Sequence, residues 1–293
     1  MITFAIPYYK NRELLHRAIR SVLAQTSPDW KLLVCDDGPD GQIIKLVESF
    51  ADSRMRYVHN GARLGMVGNW NRCLDLVNTP YVTLLHADDE LEPHYYSTMQ
   101  AGWKAHPTAT ALFCRARIID DKSRPVFSFP DFYKRLLTPR ANEPLALEGE
   151  AGIGQLLRGC FLFCPTACFR KEALGPSHFS PQWQMVQDLE LWTRLLGQGA
   201  KLVQLPQVAY AYRRHSANST VEYTANLTRF EEEAKLYGSL AENLKARGWI
   251  HAAAIAKRAT VLKLNLAYCI VQDIVRFEFA AAFQKARFLL KLR

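Results

Sequence analysis

Two pairs of adjacent carboxylates, Asp36-Asp37 and Asp88-Asp89, each follow a short apolar run, Lys31-Leu32-Leu33-Val34-Cys35 and Tyr81-Val82-Thr83-Leu84-Leu85. A strand that ends in two acids cannot bury them bare, because a buried carboxylate without a partner is strongly disfavoured. The partners that would settle them are an Arg or Lys, a divalent cation, or a hydroxyl-bearing ligand. Gly38 follows the first pair. A carboxylate there can accept the ring N–H of a uracil, thymine or guanine, or can simply close an Asx-type turn. A third acid, Asp188, opens a helix-patterned segment, where an aspartate commonly caps. Arg63 sits in a loop before a helix and can pair with a phosphate or remain a surface charge. Arg213-Arg214-His215 precedes a Ser/Asn/Thr-rich stretch, a composition able to close over a diphosphate or to form a solvated basic turn.

Four elements must hold the two pairs. Ile2-Thr3-Phe4-Ala5-Ile6 reads as a strand, and Leu14, Leu15, Ala18, Ile19, Val22 and Leu23 form the apolar face of a helix. The pattern continues through residues 90 as β-α-β-α-β-α-β, which predicts a mostly parallel sheet with helices on both faces. Ligands of such sheets bind beyond the carboxyl ends of the strands. The polar clusters at residues 7–11, 36–41 and 86–90 are therefore expected to share one cleft. Further on, residues 93–103 read as a helix, 110–119 as a strand, 120–149 as a long loop able to act as an acceptor-side lid, and 187–196 as a helix. Residues 202–205 and 208–212 read as two short strands around Pro206. From residue 224 helical periodicity dominates, with Gly248 separating the first two helices.

Bulk composition narrows the class. With 293 residues, 49% hydrophobic and 22% charged, the chain can build a large core. Its net charge of +9 favours anionic partners, but the positive charge is spread and matches no nucleic-acid module. Seven scattered cysteines suggest reduced thiols in a cytosolic protein. Cys160, Cys164 and Cys168 lack a neighbouring His that would make a zinc site. No signal-peptide pattern or long apolar run is present, so a cytoplasmic location is expected.

In order along residues 1–220 come Ile2-Thr3-Phe4-Ala5-Ile6-Pro7-Tyr8-Tyr9, Ser21-Val22-Leu23-Ala24-Gln25-Thr26, Val34-Cys35-Asp36-Asp37-Gly38 and Asn69-Trp70-Asn71-Arg72. Residues 81–89, Gln187-Asp188-Leu189-Glu190-Leu191-Trp192 and Tyr212-Arg213-Arg214-His215 follow. Together this series resembles the inverting family 2 glycosyltransferases, which have the GT-A (nucleotide-diphospho-sugar transferase) fold. The resemblance implies one domain over residues 1–223, with a nucleotide-binding half (1–90) and an acceptor half (91–223). Residues 224–293 would form a C-terminal helical appendage.

The resemblance also assigns roles. Asp37 would take the base, with Pro7 and Tyr9 beside it, and Asp36 would hold the turn. Asn71 would brace the loop that carries the carboxylates. Arg63 would meet phosphate. Asp88 would approach the ribose or sugar, and Asp89 would ligate Mn²⁺ or Mg²⁺ together with His215. Asp188 would be the general base that takes the acceptor hydroxyl proton. Trp183 and Gln187 would lie on the acceptor side, and Arg213 or Arg214 would pair with phosphate. Two positions depart from the family pattern: His86 replaces the first acid of the Asp-X-Asp motif, and Gln187 replaces a Glu. The expected activity is transfer of a hexose from a nucleoside-diphosphate sugar, with uridine the favoured base, to a hydroxyl of a glycan or lipid-linked glycan. A non-catalytic nucleotide- or glycan-binding relative is the alternative. The basic, apolar run at residues 285–293 can rest on an anionic membrane face, pack on the domain, or form a dimer.

Overall fold

The computed structural model describes residues 1–292 apart from 40, 42, 129–141, 177, 215–222 and 225. The first third alternates as expected: β1 (Ile2–Tyr8), α1 (Arg12–Leu23), β2 (Trp30–Asp36), α2 (Ile44–Glu48), β3 (Met55–His59), α3 (Gly65–Leu76) and β4 (Tyr81–Leu84). Then come β5 (Glu90–Leu91), α4 (Tyr95–Ala105), β6 (Ala111–Ile119), β7 (Leu145–Glu148) and α5 (Gly149–Leu157). A 3₁₀ turn (Cys164–Thr166) leads into β8 (Ala167–Arg170), α6 (Lys171–Leu174), α7 (Gln187–Gly197) and the long β9 (Lys201–Arg213). Four helices close the chain: α8 (Thr228–Ala246), α9 (Ile250–Arg258), α10 (Thr260–Val275) and α11 (Phe279–Lys291).

Among the described residues the strands form one nine-stranded sheet in the order β3-β2-β1-β4-β8-β6-β9-β5, with β7 also on β9. It is parallel through β3-β2-β1-β4 and turns mixed where β8 runs antiparallel to both β4 and β6. Successive strand residues face opposite sides. In β2, Leu32 and Val34 enter one core with α1, α2 and α4, while Leu33 and Cys35 enter the other. That second core contains α3, α5 and α7 and runs on into α8, α9 and α10. The first three C-terminal helices thus share a core with the sheet rather than merely abutting it.

Two features differ from the sequence reading. The expected pair of strands around Pro206 is one strand, β9. Its register against β6 shifts between Phe113↔Gln204 and Arg115↔Val208, so Pro206 lies in the irregular stretch where no ladder N–H is required. On its other edge β9 pairs with β7 over residues 201–204 and with β5 over 210–211. Those short strands carry too little pattern to read from sequence. In the expected 120–149 loop, residues 120–126 fold back on β6, with Val126 N–H donating to Ile118 O at 3.0 Å. Residues 129–141 of that segment lie outside the described residues.

Candidate active site

The parallel strands deliver both acid pairs to the same edge. At the end of β2, Asp36 Oδ1 accepts from Gly38 N–H at 2.8 Å and Oδ2 from the Tyr57 hydroxyl at 2.8 Å. A Cβ on Gly38 would lie 2.9 Å from Asp36 Oδ1 and 3.1 Å from Tyr9 O, so the turn can close only around glycine. Asp36 therefore holds the turn. Asp37 is buried too. Its Oδ1 accepts from Asn60 Nδ2 (3.0 Å) and Leu64 N–H (2.8 Å), and its Oδ2 from Gly65 N–H (2.9 Å). The carboxylate thus fixes the 60–65 loop at the start of α3, where the helix dipole favours an anion. Asn69 completes the brace: its Nδ2 lies 3.1 Å from both Tyr8 O and Cys35 O, and its Oδ1 accepts from Asn60. Asn71, expected to do this work, instead holds Phe179 through both backbone groups. Above the turn, the exposed Arg63 guanidinium lies 4.4 Å from the centre of the exposed Tyr9 ring. Pro7 pairs with Cys35 in the strand below them.

Beyond β4, the second pair divides. Asp89 is buried, with Oδ1 accepting from Arg213 N–H (2.7 Å) and Oδ2 from the Tyr210 hydroxyl (3.0 Å). Burial, and then the Asp88 charge, push its carboxyl well above the usual range. The side chain of Arg213 is also fully buried. It donates to Asp88 O at 2.7 Å, to Asp120 O, to the Glu90 carboxylate and to Ser123 Oγ at 3.0 Å. Arg213 is therefore the cation that settles this strand end, and the expectation that it pairs with a ligand phosphate is corrected. Asp88 is half-exposed. Beside it, His86 stacks on Trp70 at 4.9 Å between ring centres. Its Nε2 is buried with no hydrogen-bond partner. Burial lowers the imidazole pKa against the pull of Asp88, favouring the neutral ring.

Ser21 and Gln25, at the end of α1, hold the chain that leaves the second pair. Ser21 Oγ accepts from Leu91 N–H, while Gln25 donates to Glu92 O and accepts from Tyr96 N–H. This explains why the Ser21-to-Thr26 stretch belongs with the site.

Asp188 lies at the start of α7, half-buried, with its own carboxylate accepting from Leu189 N–H at 2.7 Å. Its charge acts on the half-buried Cys164 thiol, which burial pushes up first. The turn carrying Cys164 packs against β4, and β8 continues antiparallel to β4 from there. Asp188 thus lies within electrostatic reach of the turn that packs against β4. The loop before it is clamped by α8: Glu232 accepts from Gln184 N–H (3.0 Å) and Met185 N–H (2.8 Å). Trp183, expected as a platform for an acceptor sugar, is buried in the core with Lys235 over its ring at 5.4 Å. It cannot present a face to solvent, and that expectation is corrected. Gln187 is buried as well. Arg214 donates its N–H to Ile119 O and stacks on Tyr212. His215 lies outside the described residues.

The model of the family "Glycosyl transferase family 2" matches residues 3–154, a little over half the chain. The chain belongs to glycosyl transferase family 2. An Escherichia coli relative, UDP-Glc:alpha-D-GlcNAc-diphosphoundecaprenol beta-1,3-glucosyltransferase WfaP, is 22% identical over 81% of this chain and 87% of its own. A second from Escherichia coli with the same described reaction, WfgD, is 25% identical over 67% of this chain and 70% of its own. Among solved structures, S. aureus TarS in complex with UDP-GlcNAc superimposes with a TM-score of 0.62 at 14% identity, covering 82% of this chain and 66% of that one. The mannosyltransferase PcManGT from Pyrobaculum calidifontis, in complex with GDP-Man and Mn²⁺, gives 0.60 at 17% identity over 99% and 86%. The fold of this transferase is accordingly GT-A: a mixed sheet flanked by helices with a C-terminal helical region.

The donor set of this glycosyltransferase fits a divalent cation. His86, Asp88 and Asp89 each offer a ligand atom, all within 4.8 Å of one another. The carboxylates suit a hard divalent cation, and the orphaned His86 Nε2 is a buried polar atom that a ligand would satisfy.

Proposed function

We propose that this glycosyltransferase is an inverting enzyme that moves a hexose from a UDP-sugar to a hydroxyl of a lipid-linked glycan. The observation that carries the reading is the cluster of His86, Asp88 and Asp89 ligand atoms, all within 4.8 Å of one another beyond the end of β4, in a chain of glycosyl transferase family 2. The uridine base and the lipid-linked acceptor are supported by the reactions named for WfaP and WfgD.

In this reading the nucleotide lies along the edge of β1 and β2. Tyr9 and Arg63 present an aromatic face and a guanidinium at the surface, for the base and a phosphate. Asp37 keeps the 60–65 loop in place and contacts the base through its remaining acceptor capacity. Asp88 and His86 would hold the metal, with Asp89 as their anchor, because both Asp89 oxygens already accept hydrogen bonds. When bound, the cation offsets charge on the departing diphosphate. Arg214, which follows β9, is assigned to the diphosphate, and His215 to the metal. Asp188 accepts the proton of the attacking acceptor hydroxyl. Its place at the start of α7 stabilises the carboxylate form, and the Glu232 clamp keeps its loop from drifting.

Asp188→Asn tests the base. Transfer should fall roughly 10²–10⁴-fold, the usual contribution of a positioned acid or base. Calorimetric binding of UDP with Mn²⁺ should stay near wild type. Turnover unchanged in the variant would remove Asp188 from the mechanism. Wild-type protein that binds UDP but hydrolyses and transfers no nucleotide sugar would favour the non-catalytic relative.

A further inference from the structure

The last helical hairpin carries an apolar surface that is exposed among the described residues. On α10, Leu264, Tyr268, Val271 and Val275 recur at helical spacing and are all exposed. On α11, Phe279, Phe283 and Leu290 do the same. The two stripes meet at the turn between the helices, where Val275 is 71% and Phe277 79% exposed. Scattered exposed apolar side chains need no explanation, but a contiguous cluster of this kind marks an interaction surface.

The turn itself is built to present Phe277. Its N–H bonds to Ile274 O (3.0 Å) and that of Glu278 to Asp273 O (2.8 Å), the two bonds of a Schellman stop. The left-handed position of that motif is usually glycine. Here it is Phe277, at φ 63°, a conformation unfavourable for a bulky residue. The buried Lys285–Asp273 pair, 2.7 Å apart, locks the two helices together just behind the turn. Lys285 is thereby removed from the basic C-terminal run expected from sequence. The remaining charges on the hairpin are Lys263, Arg276, Arg287 and Lys291 against Glu278.

We propose that the α10–α11 hairpin is a membrane-docking element whose apolar stripes and Phe277–Phe279 tip enter the interface of an anionic lipid surface. Aromatic residues at the tip suit the headgroup boundary, and the flanking cations suit anionic lipids. Charge decides against a second copy of the chain: a twofold contact across this face would bring Arg276 and Arg287 against like charges, and charged residues are depleted in interface cores. The proposal is compatible with a lipid-linked acceptor but does not rest on that reading, because docking can be measured without any transfer reaction.

Flotation of the full chain with phosphatidylcholine vesicles, with or without phosphatidylglycerol, tests it. Wild type should float with the anionic vesicles, less so as salt rises, and weakly with neutral ones. F277S/F279S/F283S should lower the partition coefficient roughly tenfold or more, as expected for three withdrawn aromatic side chains. R276Q/R287Q should lower it on anionic vesicles only. Phe277→Gly guards against misfolding as the cause, because it relieves the turn: it should raise Tm while weakening vesicle binding. UDP binding should be unchanged in all of these variants. Equal flotation of wild type and the triple variant would overturn the proposal. So would absence of wild-type binding to anionic vesicles, or a stable dimer that the triple substitution dissolves without any effect of lipid.

Discussion

The pairs Asp36-Asp37 and Asp88-Asp89 are alike in sequence and unlike in structure. Both end parallel strands at the same sheet edge. At β2 both carboxylates face inward and take their partners from the protein: a turn N–H and Tyr57 for Asp36, the 60–65 loop for Asp37. At β4 only the second acid turns inward, to Tyr210 and the Arg213 backbone, while Asp88 remains half-exposed beside an imidazole with an unsatisfied nitrogen. The first pair shapes a surface. The second shapes a surface and also presents charge on it. Two adjacent acids at a strand end are therefore not one motif with one meaning; the donors available behind them decide which acid is buried.

Substitutions can break this contrast, and the largest effect is expected at the half-exposed position. Asp88→Ala should reduce kcat/KM for transfer by roughly 10²–10³, the scale of losing a group aimed at developing charge. Its urea midpoint should stay close to wild type, and a similar loss should follow when chelator removes divalent cation from the wild-type enzyme. Asp89→Ala should do the reverse in kind, lowering unfolding free energy by about 3 kcal/mol because Arg213 and Tyr210 lose a buried partner. Denaturant titration reads this, and combination with Tyr210→Phe should cost less than the sum of the two single changes. Asp37→Ala should be milder, about 2 kcal/mol for three unsatisfied donors that can partly reach water, with UDP affinity falling as the loop loosens. Arg63→Ala should move stability by no more than about 0.5 kcal/mol, since both members of its pair with Tyr9 are exposed. It should show instead as a few-fold rise in donor KM.

Local pattern made the four parallel strands and their helices legible, because the continuous buried apolar run of β2 and the Leu15-Ala18-Ile19-Val22 stripe of α1 are local signals. The short strands β5 and β7 were not, since two and four residues are too few to fix a period, and Pro206 reads as a strand end unless the bulge beside it is known. At the site, the positions of the acids were readable but their partners were not. Arg213 meets Asp89 and Glu90 over more than a hundred residues of chain. One clue was present: Ala209, Ala211 and Arg213 alternate along one face of a strand, and an arginine in register with two small buried residues points inward. Trp183 shows the opposite failure, for an indole that packs in a core and one that stacks on a sugar look the same in sequence.

The Glu232 clamp has a bearing on how this enzyme can be taken apart. The loop leading to Asp188 precedes the C-terminal helices in the chain, yet its backbone is held from α8. A chain cut at residue 223 would lose that hold together with Phe230, Leu236 and Tyr237 from the shared core. Chimeras between family members that exchange the C-terminal helices to redirect the acceptor should therefore keep α8 with its own sheet and make the junction after Gly248. There the backbone already turns through a left-handed glycine, just past the helix that holds the loop before Asp188.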